Sequence, residues 1–124
     1  MVVDTSVLLA VVFDERHSGW AADRLSEHRS DLRMSTANLA EALIVLRDRV
    51  PTSFLRHERE LLDSGIRFVP VDTEQARLAA EARLRFPLNL GDCFAYALAR
   101  AQGCTLITLD EDFRAVDVPV LMPN

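Results

Sequence analysis

The chain has 124 residues, 49% hydrophobic and 27% charged, which is the composition of one globular domain with enough apolar material for a core. Its formal net charge of −5 argues against a protein that coats nucleic acid indiscriminately. All 14 basic residues are arginine, and the lack of lysine argues against a P-loop NTPase, a Schiff-base enzyme and a phospho-receiver domain. The opening Met1–Phe13 is apolar, but it has no basic leader and is interrupted by Asp4, so it is not read as a signal peptide. Its longest uncharged run, Val7–Phe13, is too short to cross a membrane, and a cytoplasmic protein with no membrane association is expected.

In chain order, Met1–Asp4 reads as a short buried strand. It leads into Ser6–Phe13, apolar on nearly every face and so a buried helix. His17–Arg29 is a polar-rich helix with Trp20, Ala21 and Leu25 inward, and Leu32–Ser35 is a short strand. Thr36–Arg49 is an amphipathic helix on the spacing of Leu39, Leu43, Leu46 and Val50. Pro51 ends it, and Thr52 or Ser53 caps the next helix, which runs to about Ser64 with Gly65 at its end. Arg67–Val71 is a strand, and Asp72 with Gln75 forms a capping box for a helix over Thr73–Arg85. Pro87–Gly91 is a loop, Asp92–Gln102 an apolar helix stopped by Gly103, Thr105–Leu109 a strand, and Val118–Met122 a short edge strand. Cys93 and Cys104 match no zinc spacing and are expected reduced and packed inside.

Alternating strands and helices imply a parallel sheet covered on both faces, whose active site lies beyond the carboxyl ends of the strands. Asp4 ends the first strand and Asp110 follows a later one, so two acids distant in sequence reach the same edge. Each acid there has an ordinary reading. Asp4 is placed to cap a helix, Glu41 to sit at an exposed edge, and Asp110 to cap the turn Glu111–Phe113. Asp92, opening an apolar helix, gains roughly 0.3–1 kcal/mol from the helix dipole. Taken together, these readings meet an objection: like charges converge with no basic residue beside them in sequence, which raises their pKa values and destabilises the site. A divalent cation removes that cost. Hard oxygen ligands without a suitable His or Cys set favour Mg²⁺, with Mn²⁺ as the alternative, over Zn²⁺. His17, His28 and His57 lie on polar helical stretches and read as surface residues.

At these residues the sequence resembles the PIN-domain nucleases, and within them the VapC toxins of bacterial toxin–antitoxin pairs. Val2-Val3-Asp4-Thr5-Ser6-Val7-Leu8-Leu9-Ala10 is similar to the family's first motif, and Asn38-Leu39-Ala40-Glu41 to the second. The stretch from Leu88 to Ala99, around Gly91-Asp92, is the strongest match, and Thr108-Leu109-Asp110-Glu111-Asp112-Phe113 resembles the last motif. The resemblance spans essentially the whole chain and implies a single PIN domain over residues 1–124, with a three-layer α/β/α fold and a central, mainly parallel sheet. It implies a Mg²⁺- or Mn²⁺-dependent endoribonuclease in which Asp4, Glu41, Asp92 and Asp110 are the catalytic acids and metal ligands. Asp112 is a candidate fifth ligand, through water or on a second metal, and Ser6 and Thr108 are hydroxyls that orient the carboxylates. In such a site the metal lowers the pKa of a bound water and stabilises the leaving oxygen, and the resemblance implies products with a 5′-phosphate and a 3′-hydroxyl.

The RNA substrate, expected to be a structured RNA such as tRNA, needs cations. Arg47, Arg49, Arg56 and Arg59 surround one helix junction, and Arg83 and Arg85 precede the Asp92 loop. Arginine suits phosphate through paired hydrogen bonds. The alternative is ordinary surface pairing of these arginines with Asp48, Glu58 and Glu81. Trp20 and Tyr96 are expected in the core rather than stacked on bases. The resemblance also implies a homodimer and a cognate VapB-like antitoxin, for which the apolar helices between Thr36 and Ser64 offer surface. Two rival functions remain open at this point: a housekeeping PIN nuclease in RNA processing, and a PIN-like module that binds RNA or a partner without cutting.

Overall fold

A computed structural model describes Met1–Asn124. Five short strands form one sheet: β1 (Val2–Val3), β2 (Arg33–Ser35), β3 (Arg67–Val69), β4 (Leu106–Ile107) and β5 (Val120–Leu121). Their order is β3-β2-β1-β4-β5, and all the pairings are parallel, so the sheet is wholly rather than mainly parallel. The helices are α1 (Thr5–Val12), α2 (Ser18–Glu27), α3 (Thr36–Arg49), α4 (Phe54–Leu62), α5 (Thr73–Arg85) and α6 (Leu90–Gln102), with 3-10 turns at Pro51–Ser53 and Glu111–Ala115. No helix is long and apolar enough to cross a membrane.

Successive strand side chains point to opposite faces, and each face has its own core. Val2 and Leu106 enter one core with α5, α6 and Phe113. Val3, Ile107 and Met34 enter the other, with Val7 of α1 and Ala21 of α2. This accounts for β1 and β4 being apolar at every position, since a parallel sheet covered on both faces has no solvent side. The result is a three-layer α/β/α sandwich. The chain winds outward from β1 through β2 to β3, then returns to place β4 on the other side of β1. The strand order reverses at that point, which opens a crevice at the carboxyl ends of β1 and β4.

The structure revises the expected elements in three places. α6 begins at Leu90, with Asn89 as its cap accepting from the Asp92 N–H at 2.8 Å, so Asp92 lies in the first turn and the expected loop loses its last two residues. α3 buries Asn38, Ala42 and Leu46, while Ile44 is exposed, so the inner stripe starts on an amide rather than on Leu39. The capping box of α5 is half made: Asp72 accepts from Gln75 N–H at 2.8 Å, but the Gln75 amide turns to the Pro70 carbonyl. Cys93 is buried and Cys104 half-buried, both as free thiols, and Tyr96 is buried with its hydroxyl donating to Asp117 at 2.7 Å. The three histidines are half-buried rather than fully on the surface.

Phe113 is fully buried and anchors the turn that follows Asp110. Phe113→Ala is expected to cost about 3–5 kcal/mol in denaturant unfolding, a large share of the roughly 5–15 kcal/mol typical of a domain. Leu84→Ala, at a side chain left 90% exposed, is expected to stay within about 0.5 kcal/mol of the parent. Equal midpoints for the two variants would contradict the placement of Phe113.

Candidate active site

Asp4 leaves β1 with an extended backbone and occupies the N-cap position of α1, but its side chain makes no capping hydrogen bond. Its Oδ2 instead accepts from Ser6 Oγ at 2.7 Å and from Thr108 Oγ1 at 2.8 Å. Both hydroxyls are held in turn by backbone leaving β4. Leu109 N–H donates to Ser6 Oγ at 3.0 Å, and Asp110 N–H donates to Thr108 Oγ1 at 3.0 Å. Each hydroxyl spends its one proton on Asp4 because its lone pairs already receive an amide. The exits of β1 and β4 are thereby tied through one carboxylate.

Glu41 arrives from α3. Its Oε1 accepts from Asn38 Nδ2 at 2.7 Å and from Thr5 Oγ1 at 3.0 Å. The same Asn38 amide donates to the Gly91 carbonyl at 2.9 Å, which fixes α3 against the start of α6. The Glu41 carboxylate lies so close to Gly91 that a Cβ there would collide with both of its oxygens. Gly91 therefore serves close approach, not an unusual backbone angle. One turn position later, Asp92 is buried, and no donor reaches its Oδ2. Asp110 accepts from the Asp112 N–H at 2.9 Å through Oδ1, so its capping reading holds for that oxygen. Asp112 itself is exposed and engages Asp110 through its backbone rather than its carboxylate.

The electrostatics follow from burial and like charge. Burial pushes the Asp4 carboxyl above its usual range; the Ser6 and Thr108 hydroxyls oppose the rise, and Glu41 and Asp110 add to it. Asp92 is pushed up to about 8, first by burial, then by the charges of Asp4 and Asp110, a hydrogen bond with Asp110, and the charge of Glu41. None of the nine ion pairs in the molecule involves Asp4, Glu41, Asp92, Asp110 or Asp112. The acids converge without closing, since no three metal-ligating side chains surround one point at coordination distance.

The donor set suits a hard divalent cation: carboxylates only, with a buried and unpartnered oxygen on Asp92. Asp4 and Asp92 are the inner candidates to hold it, with Glu41 and Asp110 flanking them.

The arginines put forward for RNA are largely occupied. Arg47 stacks on Phe54 at 4.1 Å, and Arg49 stacks on Phe13 at 3.7 Å and pairs with Glu15 at 3.9 Å. Arg85 pairs with Asp117 at 3.2 Å, and Arg56 with Glu60 at 3.5 Å. These partners are not the expected Asp48, Glu58 and Glu81. Arg59 and Arg83 are exposed.

Thr5, Asn38, Asn89 and Gly91 were not assigned roles from sequence. Two signals were present. Asn38 and Glu41 are three apart on one helix, within mutual reach, and Gly91 is a residue that costs a helix about 1 kcal/mol relative to alanine.

Comparison with known proteins agrees with this architecture. The PIN domain family model matches residues 1–119. Ribonuclease VapC42 of Mycobacterium tuberculosis is 38% identical over 128 residues, covering 95% of this chain and 96% of that protein. Ribonuclease VapC of Mycolicibacterium smegmatis is 36% identical, covering 95% and 97%. The chain belongs to the PIN-domain family, on its VapC branch. Among solved structures, Mycobacterium tuberculosis VapC20, described as a sarcin–ricin loop cleaving toxin, superposes with a TM-score of 0.79 at 21% identity, covering 92% of each chain. VapBC2 of Rickettsia felis, bound to a promoter DNA fragment, gives 0.80 at 13% identity, covering 99% and 98%.

A carboxyl raised by folding binds a proton that the unfolded chain releases. In cation-free buffer, stability is therefore full below the ordinary carboxylate range and is lost as pH rises toward about 8. One such group sets a slope of at most about 1.4 kcal/mol per pH unit. Thermal melts from pH 5.5 to 8.5 are expected to fall for the parent and to fall less steeply in Asp92→Asn, where Asp4 alone of the two buried acids remains raised. A parent melting curve independent of pH would remove the case for converging acids.

Proposed function

We propose that this chain, as a single PIN domain, is a metal-dependent endoribonuclease and the toxin of a toxin–antitoxin pair. The observation that carries the proposal is the buried Asp4–Asp92 pair, flanked by Glu41 and Asp110, at the switch point of the sheet with no cation beside any of the four. Its relatives named as VapC ribonucleases support RNA as the substrate.

When bound, Mg²⁺ or Mn²⁺ supplies a water of lowered pKa and charge stabilisation at the phosphate. The protein's own part is positioning. Ser6 and Thr108 pin Asp4 in one rotamer by holding Oδ2. Asn38 and Thr5 pin Glu41 by Oε1, leaving Oε2 as the acceptor for a proton from an attacking water. Asp110 keeps Oδ2 available because its Oδ1 is committed to the Asp112 N–H. Asp112 sits at the rim, where it would act through water. Groups fixed in this way cost little reorganisation during reaction.

The solved toxin–antitoxin complexes among the structural neighbours support a cognate VapB-like antitoxin as partner. An acidic centre of this kind attracts an arginine or lysine from such an inhibitor. We further propose a homodimer with the cytoplasm as its location.

Incubation of the purified chain with structured RNA, tRNA included, is expected to give cleavage in Mg²⁺ that EDTA abolishes. Asp92→Asn is expected to lower the rate by at least about 100-fold, the scale of a single electrostatic or acid–base group. Undiminished cleavage by Asp92→Asn would refute the site. Binding without cleavage by the parent would identify a non-cutting module. Gly91→Ala is expected to lose activity through displacement of the Glu41 carboxylate. Its rate should fall toward that of Glu41→Gln while its fold, read by circular dichroism, is retained.

A further inference from the structure

A cleft of about 690 Å³ adjoins the acid centre, within the roughly 300–1,000 Å³ of ordinary ligand sites. Ser6 and Leu109 form its inner wall, and the loop carrying Glu15, Arg16 and His17 faces Glu111 across it. The inner wall is shared with the proposed catalytic centre: Ser6 Oγ holds Asp4 and receives the Leu109 N–H. Anything occupying the cleft therefore lies next to whatever the acids hold.

The charges in the cleft do not cancel. Glu15 is paired with Arg49, and Glu111 with Arg114, so each acid already has a cation from outside the cleft. Arg16 is exposed and makes no ion pair, cation–π contact or side-chain hydrogen bond in the molecule; only its charge, with that of His17, reaches Glu111 across the cleft, behind the closer Arg114. The backbone that carries Arg16 is nonetheless well held. Asp14 and His17 on either side adopt left-handed conformations, at φ 49° and 68°, without being glycine. The loop is closed by Ser18 Oγ on Asp14 at 2.9 Å, Ser18 N–H on the Glu15 carbonyl at 3.0 Å, and Arg49 over Phe13. Such conformations are unfavourable where a side chain is present, and they persist where the surroundings impose them.

We propose that this cleft is the subsite for the nucleotide flanking the scissile phosphate, with Arg16 as a substrate-positioning residue on that nucleotide's phosphate and His17 beside it. The inference rests on the endoribonuclease reading above. A polynucleotide held at the acids must continue past them, and the cleft beside Ser6 and Leu109 offers it a path. A guanidinium with no internal partner meets a phosphodiester with two parallel hydrogen bonds, a geometry lysine does not provide. Arg16 has no internal contact of this kind, whereas Arg47, Arg49 and Arg85 each stack on a ring or pair with an acid.

The test measures filter binding of labelled unfractionated tRNA to the non-cleaving Asp92→Asn protein across a NaCl series. Adding Arg16→Gln is expected to weaken binding about tenfold and to reduce the salt slope by about 1. Arg16→Lys is expected to keep the slope while recovering only part of the affinity. Arg29→Gln, an exposed arginine beyond the far end of α2, is the control expected to remain near the parent. In the cleaving protein, Arg16→Gln is expected to raise KM more than it lowers kcat. Unchanged affinity, slope and KM in Arg16→Gln, with the parent still cutting RNA, would overturn the cleft assignment alone. A parent that neither binds nor cuts RNA would overturn the endoribonuclease reading and this proposal together. An effect of Arg16→Gln confined to binding of a protein partner would also overturn it.

Discussion

Four carboxylates gathered at one sheet edge with no cation beside them form the constraint around which the rest of the structure is arranged. Asp4 is the most buried of them, and only neutral hydroxyls support its charge. Those hydroxyls do not act as loose donors. Leu109 and Asp110 amides fill the lone pairs of Ser6 and Thr108, so the proton on each hydroxyl is directed to Asp4. The parallel pairing of β1 with β4 is continued past the last paired residues by this side-chain relay, and the fold and the site depend on the same bonds. Even so, burial outweighs the hydroxyls, and the Asp4 carboxyl stays above its ordinary range. Removing one hydroxyl would leave both a less supported acid and an amide without its acceptor.

The first turn of α6 carries the second half of the arrangement. A glycine there weakens the helix by about 1 kcal/mol relative to alanine, and the Asn89 cap contributes about as much in the opposite direction. What the glycine permits is contact between the Glu41 carboxylate and the helix backbone. Asn38 makes that contact specific, because its one amide group donates to both Glu41 and the Gly91 carbonyl. A sequence selected only for stability would place a neutral side chain at position 92 and would not bring Glu41 against position 91, where only glycine fits beside its carboxylate. The residues present instead accept like-charge repulsion at the sheet edge, the kind of local conflict that marks a functional site.

Much of this was legible in the sequence because it depends on period and order. Apolar runs at Val2–Val3 and Leu106–Ile107, separated by helical segments, specify a parallel sheet with acids at its exits. The four acids could be named because each follows a strand or sits on a helix with no basic neighbour. What escaped depends on contacts between segments far apart. Asn38 on α3 looks like a polar residue near a cap until α6 is packed on it. Gly91 looks like the end of a loop, because a helix start is set by its cap, and Asn89 precedes the expected start by three residues. The contacts of the arginines escaped for a related reason. Sequence proximity suggests nearby acids as partners, whereas Arg47, Arg49 and Arg85 meet an aromatic ring or an acid on another element.

Charge at long range and charge at short range pull in opposite directions here. A chain of net charge −5 with an acidic centre repels a polyanion at a distance. Binding must then come from local cations left unspent after internal pairing, together with any cation the acids take up. Counting arginines overstates that supply, because most in reach of the acid face are stacked or paired. The α1–α2 loop is different in kind: Arg49 and Arg114, from outside the cleft, pair with Glu15 and Glu111, the acids nearest Arg16 in the cleft. The pairing that consumes some basic residues leaves Arg16 without an ion pair beside the acid centre.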